Sequence, residues 1–333
     1  MSKPFIIAVS PYHLATREAP AMCALLLADR VITLMPAPES GSDRANFDLA
    51  LRRSPRFFRY MDRIRWSIPL WNAGVIQSGM GDEDLGAGLR DTCRQATDEA
   101  GMWRLRAAFD VSSQDSEHGF LDRVCSDLLK GGPDPSISIP IAARVDEFAH
   151  KHDVPVARSA PVSVVQRAES MLQRRRGVFS MPIVTQVSGA RLLELRDRLS
   201  GPLGALRGAL RSVVGGADAD SGSMREVGCA SRDLAAEFER ARAGVLSGDD
   251  ETGTRIMTSY ASVSIVDVPI DVVFRASAQA LRGRAREKHV AASASRRGGP
   301  RSPVSESAGE VCSAASGTVV GLVVKELRLS PSG

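Results

Sequence analysis

Cysteine is scarce in this chain and widely scattered. The five cysteines form no CxxC pair, although cysteine zinc sites need close spacing and disulfide scaffolds need a high cysteine density. The sequence therefore indicates neither a disulfide framework nor a cysteine zinc site. Scattered cysteines are typical of reduced thiols in a packed core. We expect no cofactor and no bound metal.

Long apolar runs are also missing. No stretch approaches the roughly 20 consecutive apolar residues that a membrane-spanning helix needs. The amino terminus lacks the basic, apolar and small-residue order of a signal peptide. With 43% hydrophobic and 25% charged residues, the composition is typical of a soluble globular protein. We expect a cytoplasmic protein with no membrane partner.

Recognised catalytic signatures are absent as well. The sequence contains no G-x-S-x-G, H-E-x-x-H or Ser-x-x-Lys pattern, and these patterns mark several hydrolase and metallopeptidase classes. His150 and His152 are only two residues apart, whereas metal ligands on one helix face are spaced by a full helical turn. A solvent-exposed helix end explains this pair better than a metal site does.

Lysine is rare, with five lysines against 38 arginines. We attribute the imbalance to genomic base composition, so a single arginine carries little functional information. The basic residues are nevertheless unevenly spread, because residues 275–301 hold eight of them against the single acid Glu287. Residues 290–316 are rich in Ser, Gly, Ala and Pro, and this composition predicts a mobile basic segment.

The clearest pattern in the sequence is an apolar seam within residues 190–214. Its members recur at steps of four and three, which is helical spacing, and they are Leu199, Leu203, Leu206, Leu210 and Val213. Pro202 predicts either a kink or two helices, the second beginning near it. A second seam with the same spacing follows in residues 231–246. Together they predict an antiparallel helical hairpin at about 190–246.

The amino-terminal residues predict a βαβ unit. Residues 5–9 and 30–35 are short, apolar and rich in β-branched side chains, as buried parallel strands are. Between them we expect a loop at 11–14 and then a helix that Thr16 caps and that runs to about Asp29. Two strands joined in this way are parallel, with a right-handed crossover. We expect an α/β fold, with a mainly parallel sheet flanked by helices and the helical hairpin in the C-terminal half.

Later segments predict the rest of the sheet. Residues 137–141, 178–187 and 255–268 have strand composition, and Pro182 in the second of these favours an edge or a bulge. Residues 317–329 return to strand composition and predict an edge strand. We expect residues 1–289 to form a single globular domain.

The best-placed candidate site follows the first strand. Ligands of open parallel sheets gather outside the carboxyl ends of the strands, and Tyr12, His13 and Arg17 would lie there, with Glu18 close by. His13 would supply a group able to take up and release a proton. The alternative is that Tyr12 and His13 merely close the loop over the sheet.

Two arginine-rich stretches are candidates for nucleic-acid contact. In residues 52–65, arginines would contact phosphates while interleaved aromatic residues stack on bases. Those aromatic residues are Phe57, Phe58, Tyr60 and Trp66. On a helix, however, aromatics more often form the core side, so nucleic acid is not favoured as a partner. The candidate arginines are Arg52, Arg53, Arg56, Arg59, Arg296, Arg297 and Arg301.

Two motifs carry a resemblance to other sequences. The strand motif ADRVITLMP contains Asp29, Arg30, Val31 and Pro36. The helix motif LLELRDRLSGPLGALRGAL contains Leu192, Leu195, Arg196 and Leu206. In this order, the motifs resemble those of uncharacterised bacterial proteins, domains of unknown function with an amino-terminal βαβ unit and a Leu-x-x-Leu-Arg helix. The resemblance implies a bacterial, cytoplasmic protein and no particular activity.

No motif assigns a function, and three hypotheses stay open. We favour a soluble interaction or regulatory protein that engages a protein partner, or a second copy of itself, through the helical hairpin or the basic segment. The alternative is a small-molecule-binding enzyme with a pocket above the first strand. The third hypothesis is a nucleic-acid-binding protein.

Overall fold

The structure, a computed structural model, describes residues 3–35, 55–79, 138–159, 174–216, 221–246, 256–269 and 318–327. The described strands are β1 Ile6–Val9, β2 Arg30–Thr33, β3 Ile76–Ser78, β4 Val156–Ser159, β5 Arg174–Thr185, β6 Met257–Pro269 and β7 Thr318–Leu327. The described helices are α1 Pro11–Thr16, α2 Ala19–Leu27, α3 Pro55–Ile64, α4 Ile68–Asn72, α5 Ser138–His152, α6 Gly189–Arg198, α7 Ser200–Gly215 and α8 Ser221–Val245.

The described strands form one sheet in the order β3-β2-β1-β4-β7-β6-β5. The first five in this order run parallel, and β6 runs antiparallel to both of its neighbours. The predicted βαβ unit is confirmed, since β1 and β2 pair in parallel with Ile7 opposite Val31. The fold is α/β, with a mainly parallel sheet flanked by helices, as the sequence predicts.

Helices cover both faces of the sheet. Ala157 of β4 belongs to the apolar core that also contains α2, whereas the next residue, Arg158, pairs with Asp146 of α5. Because successive residues of a strand point to opposite faces, α2 and α5 lie on opposite sides of β4. Every residue of α2 is buried, so this helix lies at the centre of the core.

Arginines from two other helices donate hydrogen bonds to the backbone carbonyls at the C-terminal end of α2. The last turn of a helix leaves carbonyl groups without partners inside the helix. Between them, Arg196 of α6 and Arg207 of α7 donate to the carbonyls of residues 25–29. The Asp29 carboxylate in turn accepts from Arg207 at 2.8 Å and from Arg211 at 3.0 Å. Charge-assisted hydrogen bonds thus fix α6 and α7 against α2.

The predicted helical hairpin consists of α7 and α8, which pack against each other and are separated by residues 216–220. The apolar seam lies in the core, and 0% of each of its members is exposed: Leu199, Leu203, Leu206, Leu210 and Val213. Of the two alternatives at Pro202, the structure has two helices. Leu199 separates α6 from α7, and Pro202 lies in the first turn of α7, where a helix tolerates proline.

The structure corrects two local predictions. Residues 11–14 belong to α1 instead of a loop, because Pro11 suits a first helical position and the Ser10 hydroxyl accepts from the α1 backbone at 3.3 Å. Residues 138–141, predicted to lie in a strand, begin α5. Pro140 falls within the first turn of α5, a position that suits proline in a helix. A short apolar run does not by itself distinguish a buried strand from a helix.

The last strand lies in a different place from the one predicted. Residues 318–327 form a strand, but β7 pairs with both β4 and β6 and is therefore not at an edge. The nearly continuous apolar composition of β7 suits an interior position. The sheet consequently extends past residue 289, the predicted end of the domain. The two edge strands of the described sheet are β3 and β5, and β5 contains Pro182, which favours an edge or a bulge. The predicted mobile segment 290–316 lies outside the described residues.

Candidate functional site

The candidate site lies where the strand order of the sheet reverses. From β1 the chain proceeds to β2 and β3 on one side, and it later returns to β4 on the other side of β1. In open α/β sheets, ligands bind outside the carboxyl ends of the strands at such a reversal. Ser10 follows β1 and Ser159 ends β4. The residues around these two serines are therefore the candidates.

The helix α1 holds Tyr12 and His13 at this end of β1. Its first turn is capped by Ser10. The Tyr60 side chain of α3 is 0% exposed, and its hydroxyl donates to the Pro11 carbonyl at 3.0 Å. A buried anchor of this kind fixes the start of α1 and thereby the direction of the residues that follow.

Arg17 ends α1 in the left-handed conformation, with φ of 53°, which is uncommon for a residue other than glycine. Its guanidinium lies over the Trp66 ring, 4.7 Å from the ring centroid. This turn brings the Glu18 amide to within 3.2 Å of the His13 carbonyl. Glu18 therefore precedes α2 at the cap position that the sequence predicted for Thr16.

The Glu18 carboxylate is the centre of the site. Its Oε2 atom lies 2.9 Å from His13 Nδ1 and 3.2 Å from the Ser159 hydroxyl, and the Tyr12 side chain also hydrogen-bonds to it. Ser159 comes from β4 and is 141 residues from Glu18 in the chain. The carboxylate thus joins residues from both strands at the reversal point. We refer to Tyr12, His13, Glu18 and Ser159 as the Glu18 cluster.

The hydrogen bonds of the cluster determine which atoms carry hydrogen. Burial raises the pKa of Glu18, but the hydrogen bond and charge of His13, with the bonds from Tyr12 and Ser159, lower it further, so the net pKa lies below the ordinary value. An ionised carboxylate only accepts hydrogen bonds, so His13 Nδ1 carries a hydrogen. In the neutral form of the ring, Nε2 then has a lone pair. This arrangement is typical of a general base held in place by a carboxylate.

A second ion pair lies on the opposite face of β4. Asp146 of α5 pairs with Arg158 of β4, and the Asp146 side chain is only 2% exposed. Burial raises the pKa of Asp146 to about 6, and the charge and hydrogen bond of Arg158 counteract this only in part. The pair ties α5 to the end of β4, one residue before Ser159. It supports the position of Ser159 from outside the Glu18 cluster.

The sequence predicted three of the residues at this site. The structure places Tyr12 and His13 in the Glu18 cluster and Arg17 next to it. Ser159 was missed, although it ends β4. The rule that located His13 would have found Ser159 if applied to the carboxyl end of that strand. The contact between Ser159 and Glu18 has no signal in the sequence, because it depends on the strand order.

The nucleic-acid candidates are only partly described. Arg56 and Arg59 are exposed on α3. The Tyr60 side chain is fully buried, so it lies on the core side, the alternative that the sequence favoured over stacking on bases. The Trp66 ring contacts the Arg17 guanidinium, which lies over it. The other candidates lie outside the described residues, and they are Arg52, Arg53, Arg296, Arg297 and Arg301.

The two histidines near the end of α5 are exposed. His152 packs against the Phe148 ring, with 4.3 Å between the ring centroids, and His150 Nδ1 lies 3.3 Å from the Thr318 carbonyl. Within the described ranges, no group of three or more His, Cys, Asp or Glu residues is placed to hold a metal ion. In that same part of the chain, no helix has the length and apolar character needed to cross a membrane.

Comparisons with known proteins assign neither a family nor an activity to this chain. A scan of protein-family models, a search of curated proteins and a search of solved structures each found no match. The resemblance to uncharacterised bacterial proteins therefore stays a prediction. Function has to be inferred from the chemistry of the described residues.

Proposed function

We propose that the protein binds a small molecule at the Glu18 cluster and that His13 takes a proton from it. The observation that carries this proposal is the 2.9 Å contact between His13 Nδ1 and Glu18 Oε2, at the point where the strand order reverses. When Nε2 accepts a proton, the Glu18 charge stabilises the imidazolium that forms. The bound molecule keeps the electron pair of the broken bond. Side-chain exposures of 14% for His13 and 34% for Glu18 leave both within reach of a solute.

The competing prediction is a partner that docks on the helical hairpin. That prediction depended on an apolar seam, and the seam packs inside the protein's own core. The large apolar residues exposed in the described part of the chain are Val178 at 43% and Met257 at 53%, whereas a protein interface needs a contiguous buried centre. Binding of protein or nucleic acid by residues 290–316 stays a prediction, because they lie outside the described residues.

Thermal unfolding in the presence of a library of small metabolites tests the proposal. A ligand at about 100 times its Kd stabilises a protein by about 2.7 kcal/mol, which is a measurable rise in Tm. We expect at least one compound to raise the Tm of the wild-type protein. His13→Ala should abolish that rise, because it removes both the contact and the base.

A matched control is His152→Ala, which removes an exposed histidine of α5. This variant should retain the ligand-induced rise in Tm. Equal shifts in the wild-type protein and in His13→Ala, for every compound that binds, would contradict the proposal.

A further inference from the structure

A second cluster of charged residues lies at the amino-terminal ends of β1 and β2, at the other end of these strands from the Glu18 cluster. Its centre is the carboxylate of Asp29, which accepts from the amide of Phe5, the residue before β1, at 2.7 Å. Arg207 and Arg211 of α7 pair with the same carboxylate. Arg196 of α6 binds the backbone carbonyls beside it. We refer to Asp29, Arg196, Arg207 and Arg211 as the Asp29 cluster.

Positive charge exceeds negative charge in the Asp29 cluster. It holds three guanidinium groups and one carboxylate, and the C-terminal end of α2 adds only a partial negative charge. The exposed Asp197 of α6 adds a second carboxylate, and the exposed Arg30 of β2 adds a fourth guanidinium. Burial and the charge of Arg207 lower the pKa of Arg196 to about 10, although the two carboxylates act in the opposite direction. The positive charge is therefore only partly compensated.

Arg211 is the member of the cluster with unused hydrogen-bond donors. A guanidinium has five N–H groups, and within the described residues Arg211 donates only to Asp29, at 3.0 Å. Its Nε atom is buried and has no partner among those residues. Because a buried donor without an acceptor is unfavourable, Asp29 satisfies Arg211 only in part. The Arg211 side chain is 32% exposed, which leaves it within reach of a solute.

We infer that the Asp29 cluster binds a small oxyanion, either free phosphate or the phosphate group of a small molecule, with Arg211 as its main contact. A planar guanidinium matches two phosphate oxygens, and charge-assisted hydrogen bonds of this kind are strong. The anion supplies acceptors that Asp29 does not, and its charge offsets the excess on the arginines. Asp29 leaves room for a second anion, because its two oxygens already accept from Arg207, Arg211 and the Phe5 amide. The inference is independent of the proposed function, since the two clusters lie at opposite ends of the strands.

Thermal unfolding in sodium phosphate and in sodium chloride, at neutral pH and equal ionic strength, tests the inference. We expect phosphate to raise the Tm of the wild-type protein along a saturable curve, and chloride to raise it less. Phosphate also stabilises proteins without binding a site, so the variants decide. Arg211→Ala should weaken phosphate binding by about tenfold or more. Arg211→Lys keeps the charge without the planar fork, and its affinity should be intermediate.

Arg240→Ala is the matched control, because Arg240 of α8 is 71% exposed and pairs at the surface with Glu237. It should retain the whole effect of phosphate. In a parallel titration glycerol phosphate replaces inorganic phosphate. Tighter binding of the ester would identify a phosphorylated small molecule as the ligand, and tighter binding of inorganic phosphate would identify the free ion.

Nitrogen-15 NMR locates the bound anion. The Nε–H signal of Arg211, assigned from Arg211→Lys, should shift as phosphate is added and should not shift with chloride. Three results would overturn the inference: no saturable effect of phosphate on the wild-type protein, an effect that Arg211→Ala leaves unchanged, or an Arg211 signal that phosphate does not move.

Discussion

At the scale of single residues, Glu18 and Asp146 show what decides the charge of a carboxyl group. Burial raises the pKa of both. At Glu18, hydrogen bonds from three side chains outweigh burial, and the pKa falls below its ordinary value. At Asp146, burial outweighs the single partner Arg158, and the pKa rises to about 6. Glu18 is 34% exposed and has three donors and the charge of His13, whereas Asp146 is 2% exposed and has one partner, so depth of burial and number of partners together separate the two residues.

The raised pKa of Asp146 makes stability depend on pH. The folded protein binds the proton of the Asp146 carboxyl group more tightly than the unfolded chain does. The contribution of this proton to stability is therefore complete below pH 3.8, and it is lost as the pH rises through about 6. Relative to Asp146→Asn, the free energy of unfolding of the wild-type protein should fall by about 1–3 kcal/mol across this range. Urea unfolding of both proteins at a series of pH values measures this difference in the free energy of unfolding.

Glu147→Gln is the control for this experiment, because Glu147 is the exposed neighbour of Asp146 on α5. It should not reproduce the pH-dependent difference. A difference between the wild-type protein and Asp146→Asn that stays constant from about pH 4 to about pH 6 would show that Arg158 fully compensates the burial of Asp146.

At the scale of single elements, local patterns predicted helices better than they predicted what the helices contact. The spacing of the seam identified α7, since an apolar stripe at this period is typical of an amphipathic helix. The same pattern contained no sign that Arg196 and Arg207 bind the C-terminal end of α2. Nor did local composition separate a strand from a helix at residues 138–141. Contacts between elements depend on the folded arrangement, which a local pattern does not contain.

Arg196 is expected to stabilise the protein through the C-terminal end of α2. Arg196→Ala removes charge-assisted hydrogen bonds and leaves the carbonyls of Leu25, Leu26, Ala28 and Asp29 without those donors. We expect it to lower the free energy of unfolding by about 2–4 kcal/mol, measured by chemical denaturation. Arg198→Ala on the same helix is the matched control, because Arg198 is 50% exposed and pairs only at the surface with Glu194. Its effect should stay within about 0.5 kcal/mol; equal losses for both variants would contradict the account.

At the scale of the whole molecule, the strand order determines which residues meet at the candidate site. The sequence predicted a mainly parallel sheet and located His13 at the end of β1, because both follow from local composition. It did not predict that β4 would lie beside β1 or that β7 would fill the space between β4 and β6. Ser159 reaches Glu18 only in this order. The positions of Tyr12, His13 and Glu18 were therefore predictable from the first strand alone, and their link to Ser159 of β4 was not.

Nitrogen-15 NMR of the His13 side chain tests the central claim most directly, because the proposed base depends on Glu18 holding Nδ1–H. At about pH 8 an ordinary imidazole is neutral, and the two ring nitrogens then differ in chemical shift according to which carries the hydrogen. With the His13 signal assigned from His13→Gln, the account predicts hydrogen on Nδ1 in the wild-type protein and loss of that preference in Glu18→Ala. Hydrogen on Nε2 in the wild-type protein, or an unchanged preference in Glu18→Ala, would contradict it.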